Sequence, residues 1–195
     1  MLMNFSRWYP GRSPSRSLAG NLVFLLATAL SLAGCTPSFD WRTVVNQDGG
    51  FEVMFPAKPG LDQRTVKIAG QALPMLVQSA RVGDVSFAVG VVTLPADDPV
   101  LRAAVLDALE HGLARNIDAA LQTAPVAIDT DDPNQRIAGA EFAASGVVPD
   151  AHHTHRTMHA RFTARGTRVY EAVIVAPREP ASEQVDQFFG SWRVF

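Results

Sequence analysis

The stretch Asp98 to Leu121, DPVLRAAVLDALEHGLARNIDAAL, is the only long segment with a helical pattern. Asp98 is suited to cap the first amide groups, and Pro99 fits the first helical position, where its missing N–H is not needed. The pattern predicts one helix that packs on a sheet and ends at about Leu121. Its apolar stripe has three- and four-residue spacing: Leu101, Val105, Ala108, Leu109, Leu113, Ile117 and Leu121.

Short β-rich runs lie on both sides of this helix, separated by glycine-containing turns such as Asp48-Gly49-Gly50. A short second helix is expected after Pro180, with Gly190 as its C-terminal stop and the apolar C-terminal residues docked on the core. The order of strands, helix, strands and helix predicts an α+β fold, an antiparallel sheet covered by one long and one short helix. The predicted strands are 41–45, 51–55, 65–68, 74–82, 85–94, 126–128, 137–144, 157–163 and 169–175.

The composition excludes several classes of protein. The 195 residues include 17 basic and 19 acidic side chains, and this net charge of −2 gives no basic excess for binding nucleic acid. A single cysteine excludes an intrachain disulfide framework and any multi-cysteine metal site. The charge is divided unevenly, because residues 1–34 carry three arginines and no acid, whereas residues 35–195 carry a net −5.

The N-terminus has the pattern of an export signal. Basic residues precede an apolar run over 18–32, which is about 22 Å long as a helix and therefore shorter than the roughly 30 Å bilayer core. The run ends at Leu32-Ala33-Gly34-Cys35, which resembles the lipobox of bacterial lipoproteins. The resemblance implies that Cys35 receives a diacylglyceryl group, that the peptide bond before it is cut, and that the new amine is acylated, for example with palmitate.

This resemblance implies a domain organisation and a location. Residues 1–34 are the signal peptide, residues 35–39 a lipidated tether, and residues 40–195 a single α+β domain. The lipid bilayer is then a partner through Cys35. Thr36 stands where an aspartate would resemble an inner-membrane retention signal, so the periplasmic face of the outer membrane is favoured in a Gram-negative cell envelope. Two alternatives stay open: a retained single-pass anchor, and an ordinary cleaved signal peptide with an incidental cysteine.

The body of the chain also resembles a known scaffold. The residues that carry the resemblance are Trp41, Asp48-Gly49-Gly50-Phe51, Val53, Phe55-Pro56, Lys58-Pro59, Arg168-Val169-Tyr170 and Phe188-Phe189-Gly190-Ser191-Trp192. They are similar to the skeleton of small exported proteins with the PsbP/Mog1-like α/β/α sandwich. That family implies an assembly or binding factor, and it supplies no shared catalytic residues and no cofactor.

The segment Asp150 to His159 contains four of the five histidines, His152, His153, His155 and His159. If it is extended, the last three lie on one face, with neighbours about 7 Å apart, while Met158, Ala160 and Phe162 face the core. Neutral imidazoles at this spacing suit zinc, copper or nickel, with Asp150 or His152 completing the site. The alternatives are a solvated strand edge and a surface that gains protons near pH 6.5.

Other chemistry has weaker support. Ser145 lies outside any Gly-x-Ser-x-Gly elbow, Asp97-Asp98 is explained by helix capping, and Asp131-Asp132 is explained as a polar turn. The aromatic residues fit a packed core better than a ligand pocket. The leading hypothesis is a membrane-anchored envelope lipoprotein that binds or assembles a protein partner without catalysis. The alternatives are a periplasm-facing metal-binding protein and a single-pass membrane protein of unknown activity.

Overall fold

The structure is a computed structural model that describes residues 39–149 and 152–195. The predicted signal peptide, Cys35 and Asp150 lie outside the described residues. The described residues form ten strands and two helices. The strands are β1 (Arg42–Asn46), β2 (Phe51–Phe55), β3 (Gly60–Ile68), β4 (Gln71–Val82), β5 (Val85–Thr93), β6 (Thr123–Thr130), β7 (Arg136–Val147), β8 (His155–Arg165), β9 (Arg168–Ala176) and β10 (Arg193–Val194), and the helices are α1 (Pro99–Asn116) and α2 (Ser182–Ser191).

The described strands belong to one sheet with the order β1-β2-β10-β6-β7-β8-β9-β5-β4-β3. All neighbouring strands are antiparallel except β10 and β6, which are parallel. The predicted α+β class is confirmed. Each of the nine predicted strands is found, because strict alternation and glycine turns fix a hairpin locally.

The alternation of side chains along β9 builds a separate core on each face of the sheet. Tyr170 and Ile174 point into a core that contains α2 residues, while Val169 and Val173 point into a core that contains α1 residues. One helix therefore covers each face, and the long and short helices appear in the predicted order. Within the part of the chain that the structure describes, neither helix is long and apolar enough to cross a membrane.

The start of α1 follows the sequence pattern, but its end does not. Asp98 Oδ1 accepts hydrogen bonds from the amides of Val100 at 2.8 Å and Leu101 at 3.2 Å, which confirms the predicted cap. The helix ends at Asn116, so the predicted end at Leu121 was wrong. The backbone of Asp118 is in the left-handed region, at a φ of 49°, which turns the chain toward β6.

The end of α2 also differs from the prediction. Gly190 does not stop the helix, which continues to Ser191. Trp192 is extended, at a φ of −77° and a ψ of 123°, because the chain enters β10 immediately afterwards. In β10, Arg193 pairs with Glu52 of β2 and with Asp129 of β6. Strand pairing therefore ends this helix, and a strand of two residues has no periodicity by which it could be predicted.

Gly50, in the turn between β1 and β2, is the point where the C-terminus meets the sheet. Its carbonyl accepts hydrogen bonds from the Phe195 amide at 2.9 Å and from the hydroxyl of buried Tyr170 at 3.2 Å. Gly50 has a φ of 66°, and a Cβ added there would lie 2.7 Å from the Phe195 carbonyl oxygen. Both the backbone conformation and the space therefore require glycine.

Gly50→Ala is expected to lower the free energy of unfolding by about 3 kcal/mol, because it adds a backbone clash to the cost of about 1 kcal/mol for a left-handed non-glycine residue. Gly83→Ala is the matched control, since Gly83 has a similar φ of 57° and nothing within 4 Å of an added Cβ. It should cost only about 1 kcal/mol. Urea unfolding of the full chain measures both free energies of unfolding. Equal decreases in the two variants would show that the contact of Gly50 with Phe195 does not contribute to stability.

Candidate functional site

The structure divides the four clustered histidines between a turn and a strand. His153 has a φ of 48° and precedes β8, so its predicted place on the strand face was wrong, because the chain is still turning at this point. His152 lies in the same turn. His155 begins β8, opposite Val147, and is exposed. His159 lies in the middle of β8 on the same face as His155, and Met158, Ala160 and Phe162 are buried as predicted.

The described residues do not assemble these histidines into a metal centre. Within residues 39–149 and 152–195, no three His, Cys, Asp or Glu side chains lie close enough together to hold a metal ion. Metal binding by His152, His153, His155 and His159 therefore stays a prediction. His159 instead contacts an acidic side chain from another part of the chain.

A groove runs beside α2, over the face of β6, β7 and β8 that this helix leaves uncovered. We define the α2 groove as two adjoining clefts of about 400 Å³ and 350 Å³ that share Arg161 and Phe189. Ala124, Ala143 and Glu141 form the floor of the first cleft, and His159 and Val185 line its sides. The second cleft lies over Val126 and Ile128 and reaches Trp192.

The groove is open because α2 is short and lies to one side of it. Phe188 packs against Phe55 and Phe87, with ring centroids 5.8 Å and 5.4 Å apart, over the other half of the sheet. Phe189, the next residue, is left to form the wall of the groove. Ala124 and Ala143 in the floor are exposed. The groove is therefore a concave surface with a small-residue floor and a wall that is fixed by the core.

Charged side chains lie in pairs along this groove. His159 Nε2 is 2.8 Å from Glu179 Oε1, and the His159 side chain is only 19% exposed. Two residues further along β8, on the same face, Arg161 pairs with Glu141 at 3.4 Å. The Arg161 guanidinium also lies over the Phe189 ring, 4.9 Å from its centroid, and this cation–π contact fixes its position.

Trp192, one of the residues that line the second cleft, has a buried donor without an acceptor. Trp192 is 1% exposed, and its indole Nε1 has no hydrogen-bond partner among the described residues. The large majority of buried polar groups have a hydrogen-bond partner, so an unpaired indole N–H in a residue that lines a cleft is unusual. Arg136 and Asp129 line the same cleft and are already paired with each other at 2.7 Å.

Part of this site could have been predicted from the sequence. Because side chains alternate along a strand, the placement of His159 on the face opposite Met158 also places Arg161 there. The partners Glu141 and Glu179 come from β7 and from the loop before α2, and each lies 20 residues away in the chain from its basic partner, Arg161 or His159. No spacing rule joins such residues, and only the folded sheet brings them together.

The other residues raised by the sequence have structural roles. Ser145 Oγ is 2.9 Å from the hydroxyl of Thr157 and contacts no histidine in the described chain. Asp131 accepts a hydrogen bond from Arg165 at 2.7 Å, and this bond lowers the pKa of the Asp131 carboxyl. Among the aromatics predicted for the core, Phe51, Phe55, Phe188, Phe189 and Trp192 are buried, although the last two also line the groove, whereas Trp41 and Phe195 are only partly buried.

A separate cleft of about 520 Å³ lies between the β1–β2 turn and strands β3 to β5. Its lining includes Asp48 and Gly49 from the turn, Gln63 and Thr65 from β3, and Leu76 from β4. In contrast to the α2 groove, this cleft contains no ion pair between two lining residues. The α2 groove is therefore the stronger candidate for recognition of a partner.

Glu171 of β9 is a half-buried carboxyl on the face of the sheet opposite the groove. It lies against Gly90, where an added Cβ would be 2.8 Å from Glu171 Oε1. Burial raises the pKa of Glu171 from 4.5 to about 7, and the positive charge of Arg64 offsets this only in part. The folded protein therefore binds this proton more tightly than the unfolded chain does.

This raised pKa predicts a pH-dependent stability. The contribution of the Glu171 proton is fully present below about pH 4.5 and is lost as the pH rises through about 7. Glu171→Gln, which keeps the shape and removes the charge, should raise the free energy of unfolding at pH 8 by about 1–2 kcal/mol and change it little at pH 4.5. Urea unfolding at both pH values checks this, and an equal effect at both would contradict it.

Comparisons with known proteins give similarity in fold only. No protein-family model and no curated protein matches the sequence. One similar solved structure is from Bacteroides thetaiotaomicron VPI-5482, with 13% identity and a TM-score of 0.45. The alignment covers 79% of this chain and 48% of that chain, so this chain spans about half the length of the Bacteroides protein. Another is cyanobacterial PsbP (CyanoP) from Synechocystis sp. PCC 6803, with 14% identity and a TM-score of 0.43. The alignment covers 85% of this chain and 99% of that chain.

Proposed function

We propose that the protein is a lipid-anchored accessory factor of the cell envelope that binds a protein partner in the α2 groove. One observation carries this proposal: the groove is a solvent-open concave surface whose basic side chains are held in place, one by a core aromatic ring and one by an acidic side chain. Arg161 is held over buried Phe189, and His159 is held by Glu179. Fixed charges lose little conformational freedom when a partner arrives, which favours recognition.

The arrangement favours binding over catalysis. The basic groups of the groove are each paired with an acid, and within residues 39–149 and 152–195 none of them contacts a serine or threonine hydroxyl that could act as a nucleophile. The two clefts together form an elongated surface rather than a deep enclosed pocket, which suits a segment of a protein better than a small substrate.

The anchoring part of the proposal comes from the sequence. Leu32-Ala33-Gly34-Cys35 follows a short apolar run, and the described domain begins only a few residues later, at Phe39. Acyl chains on Cys35 would hold the domain at the membrane surface, since each buried methylene contributes about 0.8 kcal/mol. A short tether would restrict the partner to envelope components near that surface.

Cys35→Ser tests the anchor. Cells that express the wild-type chain and are fed labelled palmitate should give a labelled protein in the membrane fraction, because the cysteine thiol is the only lipidation site that the motif provides. Cys35→Ser should carry no label and should be released from that fraction. Mass spectrometry of the mature wild-type N-terminus is the direct check, and an unmodified Cys35 would refute the anchor.

Site-specific photo-crosslinking tests the groove. A photo-reactive residue in place of Ala143, in the groove floor, should crosslink one defined envelope protein in intact cells. The matched control replaces Val100, which is 79% exposed at the start of α1 on the other face of the sheet. The groove position should give a product that the control does not. The same products from both positions would mean that the groove has no special part in binding.

A further inference from the structure

We infer that the α2 groove recognises a carboxylate, the side chain of an aspartate or glutamate in an extended segment of the partner, and that Arg161 is the residue that binds it. This inference rests on the proposed function and names the chemistry of the partner.

The three basic groups in the groove differ in how closely they are held by their acids. Arg136 is 2.7 Å from Asp129, and His159 is 2.8 Å from Glu179, which are ordinary distances for a charge-assisted hydrogen bond. Arg161 is 3.4 Å from Glu141, too far for such a bond. Among the described residues, Arg161 is therefore the basic group of the groove with the least satisfied donors.

Arg161 is nevertheless fixed in position. Its side chain is 27% exposed and its guanidinium lies on the ring of Phe189, which belongs to the core on this face. A guanidinium is planar, and stacking on the ring holds that plane in one orientation, ready for two parallel hydrogen bonds to one carboxylate. The long distance to Glu141 leaves room for an incoming acid to replace that partner.

Trp192 supplies a second observation, an unpaired donor in a residue that lines the same cleft. It shares the second cleft with Arg161 and Phe189, and its buried Nε1 donor has no partner in the described part of the chain. Indole nitrogen is a donor only, so an oxygen acceptor is the group that would satisfy it. The Arg161 guanidinium in the cleft and the buried indole donor of a residue that lines it both favour a ligand that presents oxygen atoms.

The shape of the groove favours a peptide segment as the source of the carboxylate. A single carboxylate needs only the space around Arg161, whereas the two clefts extend to both sides of this residue. The wall formed by Val185 and Phe189 is apolar, and the floor at Ala124 and Ala143 has no bulky side chain. An extended chain with one acidic residue and small or apolar neighbours fits this surface.

The test is a titration of the full chain, purified in a mild detergent and labelled with ¹⁵N. The probe is a blocked pentapeptide with a central glutamate flanked by alanines, and its glutamine counterpart is the control ligand. The indole resonance of Trp192, assigned with Trp192→Phe, should shift and saturate with the glutamate peptide. The glutamine peptide should bind at least about tenfold more weakly, because a charged hydrogen bond is lost.

Three variants separate the roles of the residues. Arg161→Gln should abolish the difference between the two peptides, and Arg161→Lys should weaken glutamate-peptide binding about tenfold, because lysine keeps the charge but loses the planar fork. Glu141→Gln should strengthen binding about threefold, because it removes the competing acid. Unfolding midpoints show whether each variant is folded. If Arg161→Gln does not fold, Arg161→Lys still tests the inference.

Several results would overturn this inference. The first is equal binding of the two peptides, and the second is unchanged peptide binding in both Arg161→Lys and Arg161→Gln. The third is the absence of any shift of the Trp192 indole resonance. A further titration uses inorganic phosphate. If phosphate saturates the groove at lower concentrations than the glutamate peptide does, the groove binds a free anion, and the inference of a protein segment is overturned. Loss of the carboxylate preference leaves Cys35 labelling and Ala143 crosslinking intact, so failure of this inference is distinguishable from failure of the proposed function.

Discussion

The pairing of two residues, Arg193 and Val194, holds the described fold together. This short strand β10 lies between β2 and β6, antiparallel to one and parallel to the other, and it joins the β1–β2 hairpin to the remaining strands. The join is reinforced from outside the strand. Arg165 donates a hydrogen bond to the Val194 carbonyl at 2.8 Å, and the Phe195 amide donates to Gly50. Without these bonds, β2 would have β1 as its only neighbour in the sheet.

The position of α2 depends on the same join. The helix leads directly into β10, so its end is fixed by strand pairing, and Ser191 Oγ accepts a hydrogen bond from the Met54 amide at 2.9 Å. Phe188 is buried between Phe55 and Phe87, which turns Phe189 toward the open part of the sheet. The wall of the α2 groove is therefore a consequence of how the C-terminus is anchored. A recognition surface built in this way is rigid at the helix and open over the outer strands.

The sheet assigns different roles to its two faces. The face that carries α1 is covered by a long helix and contains Glu171, whose raised pKa couples stability to pH. The face that carries α2 is covered over only part of its width and contains the ion pairs and the unpaired indole. Strand β8 shows the division well, since Met158 and Phe162 are buried toward α1 while His159 and Arg161 line the groove. Alternation along one strand thus supplies both core and surface.

The sequence by itself determined the class of the fold, the strand set, the cap at Asp98 and the burial of the core aromatics, because each of these depends on local periodicity or on a local hydrogen bond. It also supplied the lipobox-like motif at Cys35, which lies outside the described residues. Tertiary structure decided the ends of both helices. A turn follows Asn116 and strand β10 follows Ser191, and no sequence pattern predicts either of them. Tertiary structure also decided which residues line the α2 groove. His159 and Glu179, Arg161 and Glu141, and Arg161 and Trp192 are far apart in the chain, and only the pairing of strands brings each pair into one place.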